Sequence, residues 1–118
     1  NNRRPRILHV EDDLDVVQVT QALLEEDADY TYATSLAAAR HELARNHCDL
    51  LLLDLMLPDG SGLELLDAIS PDTKVIVFSG QNLDAAFKHY VTAELTKATT
   101  SNERLLATIR QVINQDRN

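Results

Sequence analysis

Six residues along the chain carry side chains suited to anion and metal chemistry: the acidic run Glu11-Asp12-Asp13, then Asp54, Ser79 and Lys97. Each follows a short apolar run: Ile7-Leu-His-Val10 leads into the acidic run, Leu50-Leu-Leu-Leu53 into Asp54, Val75-Ile-Val-Phe78 into Ser79, and Ala93-Glu-Leu95 into Thr96-Lys97. Any one strand can end in a polar residue, and Asp13 could simply cap a helix. Four runs that each deliver such a group are harder to assign to chance. Carboxylates gathered at one place repel each other and resist joint ionisation. A hard divalent cation relieves that, and Mg²⁺ takes oxygen ligands, needs one or two protein carboxylates and keeps positions for water and phosphate. No His or Cys stands at a spacing that would favour zinc. Lys97 would add a mobile positive point charge and Ser79 a hydroxyl donor. A metal, a lysine and a hydroxyl around one free carboxylate describe phosphoryl transfer to that carboxylate, Asp54, since aspartate is a known phosphoryl acceptor. The rate would come from positioning and charge neutralisation.

The elements that must position these residues can be read from periodicity. Arg6–Val10 reads as a strand, and Asp13 to Glu26 as a helix carrying Val16, Val17, Thr20, Leu23 and Leu24 on one face. Asp29–Ala33 reads as a second strand, and Ser35 can cap a helix with Leu36, Ala39 and Leu43 inward. The leucine run ending at Asp54 suits a strand buried on both faces, as a parallel sheet requires. Ser61-Gly-Leu-Glu64 predicts a capping box opening a short helix to Ile69, and Thr100-Ser-Asn-Glu103 another before the last helix, whose inner face is Leu105, Leu106, Ile109, Val112 and Ile113. Residues 82–90 form a short helix at best, and Ala93–Thr96 a brief fifth strand. Alternation of this kind implies an α/β domain with a parallel sheet covered on both faces. Such sheets bind ligands at the carboxyl ends of their strands, where the six residues fall.

Composition narrows the function classes. The chain of 118 residues fits one domain. Its formal net charge is −8, from 11 Lys and Arg against 19 Asp and Glu, which disfavours a nucleic-acid surface. The one basic cluster, Arg3, Arg4 and Arg6, reads as a solvated linker or tail. No stretch approaches a membrane span and no signal-peptide pattern opens the chain, so the expected location is cytoplasmic, without direct contact with membrane or nucleic acid. Cys48 is the only cysteine and is expected to pack rather than react; His9 is expected inside the sheet, and His41, His47 and His89 at the surface.

The motifs Ile7-Leu-His-Val-Glu-Asp-Asp13, Leu51-Leu-Leu-Asp-Leu-Met-Leu-Pro-Asp-Gly-Ser-Gly62, Val75-Ile-Val-Phe-Ser-Gly80 and Leu95-Thr-Lys97 resemble the receiver domain of two-component response regulators, from Arg6 to about Gln115. The resemblance implies a flavodoxin-like (CheY-like) fold, a doubly wound five-stranded parallel sheet of order 2-1-3-4-5. It implies a tail over residues 1–5 and a receiver domain over 6–116. Glu11 and Asp12 match the Mg²⁺-holding acidic pair, Asp54 the phosphoacceptor, Met56 a backbone carbonyl offered to the metal, Ser79 the hydroxyl that contacts the phosphoryl group, and Lys97 the lysine that binds it. The implied donor is a histidine kinase or histidine phosphotransfer protein, and a downstream protein partner or a homodimer would read the result. Such a domain catalyses only its own phosphorylation and dephosphorylation, so it is not expected to be an enzyme; the parent protein could be a hybrid histidine kinase.

Three departures stand beside the match. Ala98 follows Lys97 where the family usually has proline, Glu94 occupies the place of an aromatic switch residue, and the segment from Ser79 to Lys97 is short, predicting a stunted fourth helix. These imply output through another face or an altered switch. A protein–protein adaptor that keeps the fold without phosphate signalling is the alternative reading. An Asp-nucleophile phosphatase is disfavoured, because Met56 stands where a second Asp would serve as acid and base. A nucleotide-binding module is disfavoured too, because no glycine-rich loop follows the first strand.

Overall fold

The computed structural model describes residues 4–115. Five parallel strands form its main sheet: β1 (Arg6–Val10), β2 (Asp29–Ala33), β3 (Leu50–Leu53), β4 (Lys74–Ser79) and β5 (Ala93–Thr96). Their order is β2-β1-β3-β4-β5, the doubly wound flavodoxin-like arrangement expected from the sequence. All four leucines of β3 are buried, which explains the absence of alternation there: helices or helical turns cover both faces.

One face packs Ile7, Leu50, Leu52 and Ile76 against α1 (Leu14–Leu24) and the last helix, α3 (Asn102–Asn114), through Leu24, Leu105, Ile109 and Val112. The other packs Leu8, Val10, Leu51, Leu53 and Val75 against α2 (Leu36–Arg45), through Leu36 and Ala39, and against Leu65. Burying a leucine fully is worth ~1.5–3 kcal/mol, so the central strand alone contributes a large share of the folding free energy.

Local chemistry adjusts several expected boundaries. Asp13 does cap α1, its carboxylate accepting from Asp15 N–H, and α1 ends at Leu24 rather than at Glu26. The cap of α3 is Ser101, which accepts from Arg104 N–H at 3.1 Å. Thr100 instead turns its hydroxyl back to the Thr96 carbonyl at 2.7 Å, so the predicted box at Thr100 does not form. Ser61 and Glu64 do form a capping box, but it opens a 3₁₀ segment over Gly62–Asp67 and not an α-helix. Between β4 and β5 the chain makes only a 3₁₀ segment over Ala85–Tyr90. Among the described residues no helix is long and apolar enough to cross a membrane.

Arg4 is not free. Its guanidinium donates to the carbonyls of Glu25 and Ala28 at 2.5 and 2.7 Å, just past the end of α1. Residues 1–3, including Arg3 of the basic cluster, and position 116, the expected domain boundary, lie outside the described residues.

Candidate functional site

Parallel register brings the strand ends together. The pairs Val10–Leu53 and Leu53–Val77 set β1, β3 and β4 so that Glu11, Asp54 and Ser79 leave the sheet side by side. The backbone continues the ladder for one more step: Asp54 N–H donates to the Val10 carbonyl at 3.0 Å, and Glu11 N–H to the Ala33 carbonyl at 2.9 Å. Ser79 pairs with Thr96, which places Lys97 at the neighbouring strand end.

Asp54 is 5% exposed and both of its carboxylate oxygens are held. Ser79 Oγ donates to Oδ1 at 2.7 Å, and Met56 N–H reaches the same oxygen at 3.3 Å. Lys97 Nζ donates to Oδ2 at 3.1 Å and lies 2.6 Å from Glu11 Oε1. One ammonium thus bridges two buried carboxylates. Burial pushes the Glu11 carboxyl up to about 7, against the lowering pull of Lys97 and of the Asp13 N–H. Burial works in the same direction on Asp54, but there the hydrogen bonds from Ser79 and Lys97 outweigh it and hold the carboxyl below its ordinary range. Lys97 is held charged: burial opposes the charge, and Glu11 and Asp54 outweigh the burial. The arrangement therefore keeps Asp54 ionised and nucleophilic.

Glu11, Asp12 and Asp54 each bring one carboxylate oxygen within 4.8 Å of the others. Asp12 is exposed at the rim of an open depression of about 580 Å³, while Glu11 and Asp54 form its floor. Three carboxylates stand against one ammonium, that of Lys97. The residual negative charge, the all-oxygen donor set and an open side fit a hard divalent cation that retains outer ligands. The side chain of Met56 stands 59% exposed on the same rim.

Two glycines shape the loop after Asp54. A Cβ at Gly62 would lie 2.1 Å from the Asp54 carbonyl oxygen, so only glycine allows the chain to double back there, with Gly62 N–H donating to the Leu55 carbonyl at 2.9 Å. Gly60 has φ of 147°, which closes the small antiparallel ribbon of Met56–Leu57 with Gly60–Ser61. Asp59 at its tip accepts from the N–H groups of Leu36 and Ala37 at 2.8 and 3.1 Å. The loop after Asp54 is in this way fastened to the N-terminus of α2. The sequence places Asp59 in a turn but does not reveal this contact, because its partners lie more than 20 positions away.

The three departures also have structural consequences. The peptide bonds among the described residues are all trans, and Lys97–Thr99 forms a 3₁₀ turn. Glu94 is half-buried and accepts from Leu83 N–H at 2.8 Å. Tyr90 is 59% exposed and fills no aromatic slot. Of the other residues singled out, His9 and Cys48 are buried, and His41, His47 and His89 are exposed. Burial pushes the Cys48 thiol up to about 11, consistent with packing rather than reactivity.

Comparison with known proteins agrees with this geometry. The family pattern described as the response regulator receiver domain matches residues 7–110. The cell cycle transcriptional regulator CtrA of Caulobacter vibrioides is 32% identical over 81 residues, covering 65% of this chain and 35% of its own. CtrA of Brucella ovis is 33% identical over 79 residues, 64% of this chain and 34% of its own. The chain thus spans about a third of the length of these relatives. Among solved structures, a CheY-like response regulator receiver domain protein from Methanospirillum hungatei superposes with a TM-score of 0.85 at 25% identity, covering 96% of each chain. A sensor protein from Polaromonas superposes with a TM-score of 0.79 at 27% identity, covering 96% of this chain and 98% of its own.

Proposed function

The chain belongs to the response regulator receiver domain family of two-component signalling, and from that premise we propose that Asp54 is its phosphoacceptor. The observation that carries this reading is the double hold on Asp54, by Ser79 at one oxygen and by Lys97 at the other. A carboxylate oxygen of Asp54 forms the new P–O bond. The P–N bond of a phosphohistidine breaks, and the imidazole nitrogen keeps the electron pair. Ser79 and Lys97 would pass from the carboxylate to the phosphoryl oxygens and neutralise their charge. Glu11, Asp12 and Asp54, with the Met56 carbonyl, are the groups that would hold Mg²⁺, which when bound supplies positive charge to the phosphoryl oxygens. The resulting acyl phosphate replaces the single carboxylate charge with about two, on a bulkier group with more acceptor oxygens, enough to bias the surrounding loops between two arrangements.

The donor on this reading is a histidine kinase or a histidine phosphotransfer protein, in the cytoplasm. The chain is a stand-alone regulator or one domain of a longer protein, such as a regulator of the CtrA kind or a hybrid histidine kinase, the last supported by the likeness to a sensor protein. Incubation with Mg²⁺ and acetyl phosphate should add one phosphoryl group to the intact chain by mass spectrometry. Asp54→Asn or removal of Mg²⁺ by a chelator should abolish the addition. A wild-type chain that gains no mass while another receiver is labelled in parallel would leave the adaptor reading in its place.

A further inference from the structure

The hydroxyl of Ser79 has three partners: it donates to Asp54 Oδ1 at 2.7 Å and faces the N–H groups of Leu55 and Gln81, each at 3.3 Å. Its position therefore depends on where the chain goes immediately after β4. That stretch, residues 80–84, has no regular structure of its own and precedes a 3₁₀ segment with no buried residue. Two contacts at Leu83 hold it. The Leu83 side chain is 4% exposed and packs with Leu55 and Val77, and Leu55 is the residue next to Asp54. The Leu83 N–H donates to Glu94 Oε2 at 2.8 Å. Glu94 lies in β5, three residues before Lys97, and its other oxygen faces Lys88 Nζ at 3.7 Å. The carboxylate consequently ties the loop that follows Ser79 to β5, the strand that ends just before Lys97.

We propose that Glu94 is a positioning residue for phosphoryl acceptance, holding the Leu83 N–H so that the Ser79 hydroxyl stays at Asp54. The inference rests on the phosphoacceptor reading of Asp54. A hydrogen bond from an amide to a carboxylate is stronger than one between neutral groups, and Leu83 is the only buried residue between Gly80 and Tyr90. Loss of the acceptor frees the loop at its anchor. The ion pair with Lys88 is more exposed on the lysine side, at 60%, and contributes little.

The test measures the rate of phosphoryl gain from acetyl phosphate with Mg²⁺ for the whole chain and its variants. Glu94→Ala should slow labelling by about tenfold, the scale of one lost charge-assisted hydrogen bond. Glu94→Gln keeps a carbonyl acceptor for Leu83 N–H and should restore most of the rate, while Lys88→Ala should match wild type. The decisive comparison is made in a Ser79→Ala background. If Glu94 acts through Ser79, adding Glu94→Ala there produces no further slowing. Equal slowing in both backgrounds would show a general structural effect and overturn the proposal. So would a Glu94→Ala chain that labels at the wild-type rate, with Asp54 still the acceptor. Faster hydrogen exchange of the Leu83 amide in Glu94→Ala, with wild-type exchange in Glu94→Gln, is expected alongside; unchanged exchange in Glu94→Ala would also contradict it. A wild-type chain that takes up no phosphoryl group removes the phosphoacceptor reading itself, and this inference with it.

Discussion

At the residue scale, the site is a competition between burial and pairing. Lys97 decides it for Asp54, and Lys97→Ala should leave two buried carboxylates without their shared cation. Labelling by acetyl phosphate should then fall by about 10²-fold or more, measured as the initial rate. His9 lies in β1, two positions before Glu11, and tests the burial side of the balance. The Tyr30 hydroxyl is 2.6 Å from His9 Nδ1, and His9 Nε2 is buried without a hydrogen-bond partner among the described residues. Burial first, and Lys97 second, lower the imidazole from 6.5 to about 3. The unfolded chain takes up this proton below its ordinary value of 6.5 and the folded chain does not, so protons favour unfolding. Stability should therefore fall as the pH drops from 6.5 towards 3, by up to about 1.4 kcal/mol per pH unit from this group. Denaturant unfolding of wild type and His9→Leu across that range should show the smaller slope in the variant; equal slopes would mean that His9 does not stay neutral. The chemical identities of Glu11, Asp12, Asp54, Ser79 and Lys97 are all legible in the sequence, because each interrupts or follows an apolar run. The bridging of Glu11 and Asp54 by one ammonium is not, since no spacing reports a distance across strands.

At the element scale, sequence periodicity places every strand of the main sheet and all three α-helices, and errs where local hydrogen bonding competes with the helix. Thr100 and Ser101 both qualify as caps by residue type. The structure selects Ser101 because the Thr100 hydroxyl is already committed to the Thr96 carbonyl. Ser101→Ala should accordingly cost about 1 kcal/mol in denaturant unfolding, and Thr100→Ala less. The sequence reads a short helix from the Ser61 box to Ile69 and a short helix at best over residues 82–90; what forms is 3₁₀, over Gly62–Asp67 and Ala85–Tyr90, each six residues long and below the length at which helix propagation recovers its nucleation cost. Asp59 joins the ribbon after β3 to α2. Asp59→Ala should lower the melting temperature and slow labelling, because it releases the loop after Asp54 from the N-terminus of α2. Asp59→Asn, which keeps an acceptor oxygen, should retain more of both.

For the whole molecule, two apolar layers enclose the main sheet; alternation makes the parallel α/β class legible, because parallel strands need crossovers, while the strand order is expected from the resemblance. Leu52 sits at the centre with no exposed surface, and Leu52→Ala should destabilise the chain by about 2–5 kcal/mol without moving the strand ends that hold the site. The output of the domain is not legible in the same way: the face that differs from the family, around Glu94 and Ala85–Tyr90, is held by the Leu83–Glu94 hydrogen bond and the burial of Leu83 and not by a periodic pattern. The sheet brings four strand ends to one carboxylate, and the function proposed for the chain depends on that carboxylate. The most direct measurement is chemical trapping of the phosphorylated chain with borohydride, which reduces an aspartyl phosphate to homoserine, followed by peptide mass mapping. Phosphoryl acceptance by Asp54 predicts homoserine at position 54 and nowhere else. Homoserine at Asp12 or Asp13, or a phosphoryl group carried on His9 or an exposed histidine, would contradict it.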